Sequence, residues 1–217
     1  MTDVKGSEPK KRRYTSALRS ELAEQTRVTV VRAALAEFLE HGYAGATIDR
    51  IATRAQVSRP TVFAVGQKAT LLKIARDRAI AGDDDPRSIA QRPDFGAIAA
   101  APDAESSLRA FAPISAGILR RFADLNDVLR QAAAIDPDVA PLWDTSEQER
   151  LNAARGIVST ISAKGPLRAG LDATKAADVL WLLMAPEQYH RLTRGRSWSH
   201  RRWAGWYADT MVQLLLP

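Results

Sequence analysis

The sequence predicts an all-α chain in two parts. Apolar residues recur at three- and four-residue spacing along most of it, with no strand-like alternation of useful length and no internal repeat. Ser, Thr and Asp stand ahead of the periodic runs as candidate N-caps, and Gly or Pro follows several of them. Charge is divided unevenly. Residues 1–80 hold 15 Lys+Arg and 8 Asp+Glu, whereas residues 81–217 hold 16 and 17. The net +6 of the 217 residues therefore lives in the first part, and a polyanionic partner for that part follows.

In chain order, residues 1–20 read as a disordered basic arm, with Lys10, Lys11, Arg12 and Arg13 in one run. A helix is expected from about Ser20 to His41, with Val28, Val31, Leu35, Phe38 and Leu39 as its apolar stripe and Gly42 as its stop. Thr47 to Lys68 reads as two short helices joined by a tight turn. Thr47 caps the first, and Ile48, Ile51, Ala52 and Ala55 fall on one face. Ser58 caps the second, Pro60 sits in its first turn, and Val62 is placed to meet Ile51 and Ala52. Arg59, Thr61 and Ala64 then point outward. This is the layout of a helix-turn-helix, whose second helix enters the major groove of DNA. An ordinary helical hairpin is the plainer alternative.

From Lys68 a connecting helix is expected, with Leu71, Leu72, Ala75 and Ala79 apolar. The candidate DNA-binding part is thus assigned to residues 21–80, and a second, larger helical part to residues 81–217. Residues 82–102 read as a loop, rich in Asp, Pro and Gly. A helix follows over Asp103–Asp124, kinked at Pro113, and then a shorter one with Leu125, Val128, Leu129 and Ala132. Pro137 opens the next, which ends near Gly165 and Pro166. Asp172 caps a helix from Ala173 to about Arg194, apolar nearly all round between Ala176 and Pro186. Ser199 caps the last, where Trp203, Trp206, Tyr207, Thr210, Met211 and Leu214 keep helical spacing.

Composition excludes several chemistries. There is no cysteine, so thiolate metal sites and Cys nucleophiles are absent. His41, His190 and His200 form no pair with metal-ligand spacing. Ser, His and Asp residues sit in no nucleophile-elbow context and no glycine-rich phosphate loop exists, so no enzyme and no cofactor are expected. No apolar run of about 18 residues marks a membrane span. The basic N-terminus is followed by no apolar segment, so a cytoplasmic protein is expected.

The segment Val28–Leu72 resembles the DNA-binding domain of the TetR family of bacterial transcriptional regulators. Ala33-Ala34-Leu35-Ala36-Glu37-Phe38, His41-Gly42-Tyr43, Thr47-Ile48, Ile51-Ala52, Ala55, Val57-Ser58, Thr61-Val62-Phe63, Lys68 and Leu71-Leu72 carry the likeness. The family usually has Tyr where Phe63 stands, and an aromatic pair shortly after. Here Ala64-Val65-Gly66 follows, and the stretch before Lys68 looks one residue short. Phe63 has no hydroxyl to offer a phosphate.

The resemblance implies a ligand-responsive regulator, expected to be a repressor, that binds a palindromic operator as a homodimer, with residues 81–217 as its regulatory and dimerisation part. It places Ser58, Arg59, Pro60 and Thr61 at the groove-facing start of the recognition helix, with Phe63 beyond them. Arg59 is the candidate for a base contact and Thr47 and Lys68 for phosphate contacts. The family's last two helices form a dimer bundle, which assigns Trp203, Trp206, Tyr207 and Met211 to dimerisation, with core packing as the alternative. It further implies a small-molecule effector in the second part, where Phe111, Phe122, Trp143, Trp181, Met184 and Tyr189 are candidate lining residues and an apolar or aromatic effector is expected. A helical protein-binding adaptor is the alternative function; it leaves the basic first part unexplained.

Overall fold

The computed structural model describes residues 10–82 and 93–217. Every regular element among them is a helix: α1 (Lys10–Gly45), α2 (Ile48–Ala55), α3 (Arg59–Val65), α4 (Lys68–Ala81), α5 (Pro93–Ala100), α6 (Ala104–Ala133), α7 (Ala140–Ser162), α8 (Ala173–Leu183), α9 (Pro186–Thr193) and α10 (His200–Leu215). The chain divides into two compact units between Leu72 and Lys73, inside α4 rather than after it.

In the first unit, α1 begins at Lys10, well before Ser20. The expected basic arm therefore overlaps a helix over its second half, and its first nine residues lie outside the described residues. Gly42 breaks the helix with φ +67°, a conformation that suits glycine and makes the stop read from the sequence. The core holds Val31, Ala34 and Phe38 from α1, Ile51, Ala52 and Ala55 from α2, Val62 from α3, and Leu71 and Leu72 from α4. Tyr43 stacks on Phe38 with ring centroids 5.9 Å apart. Leu39, expected in the stripe, is instead 46% exposed.

In the second unit α6 packs against α5, α7, α9 and α10. It is one helix where two were expected, and it carries Pro113 within it. The expected loop contains α5, whose Ile98 is buried; residues 83–92 lie outside the described residues. Lys164 holds the end of α5, its Nζ donating to the carbonyls of Ile98 (3.0 Å), Ala99 (2.9 Å) and Ala101 (2.7 Å) and to Ser107 Oγ (2.8 Å). Arg121 does the same for α4, donating to the carbonyls of Ala79 and Ile80 at 3.0 and 3.1 Å. Both place a cation at the negative end of a helix.

The single helix expected over 173–194 is two helices. Ala185 takes an extended conformation (φ −69°, ψ 127°) because Pro186 follows it, and α9 restarts at that proline. Helix α7 opens at Ala140, not Pro137.

Of the four α10 residues assigned to dimerisation, three are placed as the core-packing alternative would have them. Trp203, Tyr207 and Met211 have no exposed surface. They lie in the core of this unit with Leu108, Phe111, Ile161 and Leu180. Trp203 stacks on Tyr207 at 4.5 Å and meets Tyr189 edge-on at 4.9 Å, and the Tyr207 hydroxyl shares a 2.8 Å hydrogen bond with Ser115. Burial pushes the Tyr207 phenol far above its usual range, so it stays neutral. Side chains already buried in one subunit have no area left for a second. Trp206 remains 37% exposed.

Candidate functional site

The turn between α2 and α3 is built by local backbone chemistry. Gln56 takes a left-handed conformation (φ 55°) and ends α2, and the N–H of Val57 bonds back to the Ala52 carbonyl at 3.0 Å. Ser58 then starts α3: its hydroxyl accepts from the N–H of Thr61 at 3.3 Å. Thr47 does likewise for α2, accepting from the N–H of Arg50 at 3.2 Å. Only Val62 of α3 is buried, so the short helix is fixed through one side chain and leaves Arg59, Pro60, Phe63 and Ala64 exposed. Phe63 keeps 49% of its surface. Gly66 permits the short connection to α4, because a Cβ there would fall 2.7 Å from Thr70 Cγ2.

Charge pairing orients these helices. Glu37 of α1 is buried and accepts from Arg50 Nε at 2.8 Å and Arg54 Nε at 2.5 Å, both on α2. Arg54 also pairs with Glu40, and Arg50 reaches His41. Burial alone would raise the Glu37 carboxyl, but the two guanidinium groups outweigh it and hold the carboxyl below its ordinary value. Arg59 pairs with Asp49 at 3.0 Å, with both side chains more than half exposed. Lys68 lies over the Tyr43 ring, its Nζ 4.2 Å from the centroid.

A separate feature lies within the second unit. A cavity of about 670 Å³ is bounded by Phe95 and Ile98 of α5, by Phe111, Ile118 and Phe122 of α6, and by one face of α7. Met184 and Pro186 close it at the break between α8 and α9, and Arg76 and Ile80 contribute from the part of α4 in this unit. Its size lies within the range of small-molecule sites. No group of three or more potential metal ligands occurs among the described residues.

Residues 30–64 match the model of the tetR family of bacterial regulatory proteins, which ends within α3. The match lies within the N-terminal unit. No curated protein matches the sequence. Solved structures extend the likeness over both units. A putative transcriptional regulator from Pseudomonas aeruginosa PAO1 is 23% identical over 88% of this chain and 89% of its own, with a TM-score of 0.67. SmeT in its triclosan complex is 17% identical over 89% and 92%, with a TM-score of 0.67. NalD, the secondary repressor of the MexAB-OprM multidrug efflux pump in Pseudomonas aeruginosa, is 17% identical over 89% and 96%, with a TM-score of 0.64. At these identities the shared property is the fold: a helix-turn-helix unit followed by a larger helical one. The chain shares that fold, and its residues 30–64 are similar to the tetR family.

The candidate DNA-contacting residues Thr47, Ser58, Arg59, Pro60, Thr61, Phe63 and Lys68 all fall on α2, α3, their caps or the start of α4. The candidate lining residues divide. Phe111, Phe122 and Met184 border the cavity, whereas Trp143, Trp181 and Tyr189 do not. Tyr189 packs on Trp203, and Trp181 lies against Arg150 behind the wall. Sequence reasoning missed the polar lining, Arg76, Ser115, Asn126 and Arg150. For Arg150 a signal exists: it stands four residues before the buried Ala154 and seven before the buried Ile157, on the apolar face of α7.

Proposed function

We propose that the chain is a homodimeric repressor that occupies a palindromic operator through α3 and is released by a small apolar or aromatic effector. The observation that carries the ligand response is the phenylalanine-lined cavity of the second unit. SmeT, of similar fold, is known as a triclosan complex, and NalD is a repressor, which supports both parts of the reading. Arg59 supplies a base contact, since guanidinium pairs with guanine O6 and N7, and the weak surface pair with Asp49 is readily exchanged for it. Thr47 and Lys68 contact phosphates. The effector acts by binding the DNA-free state more tightly than the DNA-bound state, and release can be no larger than that difference.

The test is fluorescence anisotropy with the gene's own upstream DNA and a scrambled duplex across a salt series. Tight binding to the native duplex alone, weakening steeply with salt, is expected. Absence of binding at low salt overturns the reading in favour of a protein-binding adaptor.

A further inference from the structure

The cavity wall is apolar over α5 and most of α6 and polar where α4 meets α7. The two arginines in that polar region are differently provided for. Arg76 is buried and engaged: Nε donates to Ser146 Oγ at 3.3 Å, Nη1 to Asp77 Oδ1 at 2.8 Å, and Nη2 to Glu149. Arg150 is only partly engaged. Its side chain keeps 14% of its surface, and Nη2 alone finds a carboxylate, that of Glu147. Nε and Nη1 are covered and meet no acceptor among the described residues.

Behind Arg150 stands Trp181, whose ring centroid lies 4.8 Å from the guanidinium carbon. The ring attracts the cation but supplies no lone pair. The indole Nε1–H is itself buried with no acceptor among the described residues. Two covered donor nitrogens of Arg150 in the wall, and one of Trp181 behind it, are thus without acceptors, and Arg150 is paired with a single carboxylate. Burial pushes the Glu147 carboxyl up, Arg150 opposes this, and the nearby charge of Glu187 adds to the rise. Buried donors without acceptors are costly and uncommon in folded proteins.

We infer that the effector is an amphipathic acid: a carboxylate seats on Arg150 while an aromatic or aliphatic body lies against Phe95, Phe111, Phe122 and Met184. This rests on the cavity being the effector site. Turning the guanidinium toward the cavity breaks no hydrogen bond at Nε or Nη1, because none is made there. A cationic effector fits less well. Glu147 and Glu149 already accept from Arg150 and Arg76, so an ammonium group has to displace one of these pairs.

The experiment is isothermal titration calorimetry of the full chain with three probes of one shape: 4-phenylbutanoate, 4-phenylbutan-1-ol and 4-phenylbutylamine. The acid is expected to bind at least tenfold more tightly than the alcohol, with the amine weakest. Arg150→Leu is expected to abolish the acid's advantage over the alcohol, and Arg150→Lys to retain part of it. Binding of the alcohol by the leucine variant reports that its cavity is intact; if that variant does not fold, the wild-type ranking and the lysine variant decide. Equal binding of acid and alcohol, preference for the amine, or an acid advantage that survives Arg150→Leu overturns the carboxylate assignment while leaving the effector site standing. Failure of all three probes to bind the wild-type chain overturns the effector-site reading and this inference with it.

Discussion

Arg59 and Lys68 are both cations on the helix-turn-helix, and their surroundings suit the different contacts proposed for them. Arg59 stands at the first position of α3 with a planar fork, paired only to an exposed carboxylate at 3.0 Å. Such a pair is worth about 0–1 kcal/mol, less than the ~1–3 kcal/mol of a bidentate contact to guanine. Arg59→Ala is therefore expected to bring the native and scrambled duplexes closer together by roughly 1–3 kcal/mol per half-site in anisotropy titrations. Lys68, steadied on the Tyr43 ring, offers a point charge. Lys68→Ala is expected to weaken both duplexes alike and to reduce the salt slope by about 0.9 for each half-site. A sequence-dependent loss at Lys68 overturns the phosphate assignment.

Glu37 matters differently, as the buried carboxylate that ties α1 to Arg50 and Arg54 of α2. Glu37→Gln is expected to destabilise the first unit by about 1–2 kcal/mol at neutral pH, at the low end for charged hydrogen bonds because both arginines are partly exposed. Its folded pKa lies below the ordinary glutamate value of 4.5. The carboxylate's contribution is thus fully present above that value and is lost as pH falls through the folded pKa. Urea unfolding of both proteins should show a gap at pH 7 that closes on acidification. A gap independent of pH would mean that packing, not charge, is what Glu37 supplies.

At the scale of elements, capping explains why so much of the chain was legible in its sequence. Thr47, Ser58, Asp172 and Ser199 each accept the N–H three residues on, so four helix starts follow from residue type and position. Periodicity located the buried faces but not what they pack against. Trp203, Tyr207 and Met211 repeat as an interface stripe would, yet the same spacing builds the core of one subunit. Pro186 signalled a break, but the apolar run across it read as one helix. The cavity's polar groups were hidden because their partners are remote in sequence, as Arg76 is from Glu149.

Lys164 shows the same remoteness. Sixty-odd residues after α5, it gathers that helix's last carbonyls and Ser107 on one ammonium group. Lys164→Met is expected to cost about 1–3 kcal/mol, since it leaves several acceptors unsatisfied. Because α5 lends Phe95 and Ile98 to the cavity, hydrogen exchange should quicken over residues 95–101 and effector affinity should fall together. Faster exchange with unaltered affinity would separate α5 from ligand binding.

For the whole molecule, the proposed palindromic operator requires a second copy, and burial limits where that copy can sit. The inner face of α10 is spent on its own core. What remains outside is apolar surface on neighbouring helices: Leu182 of α8, 53% exposed, and Trp206 and Leu214 of α10, 37% and 42% exposed. Trp206 and Leu214 are eight residues apart, so they lie on adjoining parts of one helix face, beside the buried stripe Trp203-Tyr207-Met211-Leu215. Large apolar side chains left outside a core are what a homodimer covers, typically within about 1,600 Å² of total buried area. Leu182→Glu combined with Leu214→Glu is expected to shift the protein from dimer to monomer in sedimentation equilibrium while far-UV circular dichroism stays helical. Operator affinity should fall by far more than either half-site contact accounts for, because the two copies no longer bind as one unit. A double variant that remains dimeric would place the two-fold axis on another surface, and one that becomes monomeric with undiminished operator affinity would show that the site is read by single copies.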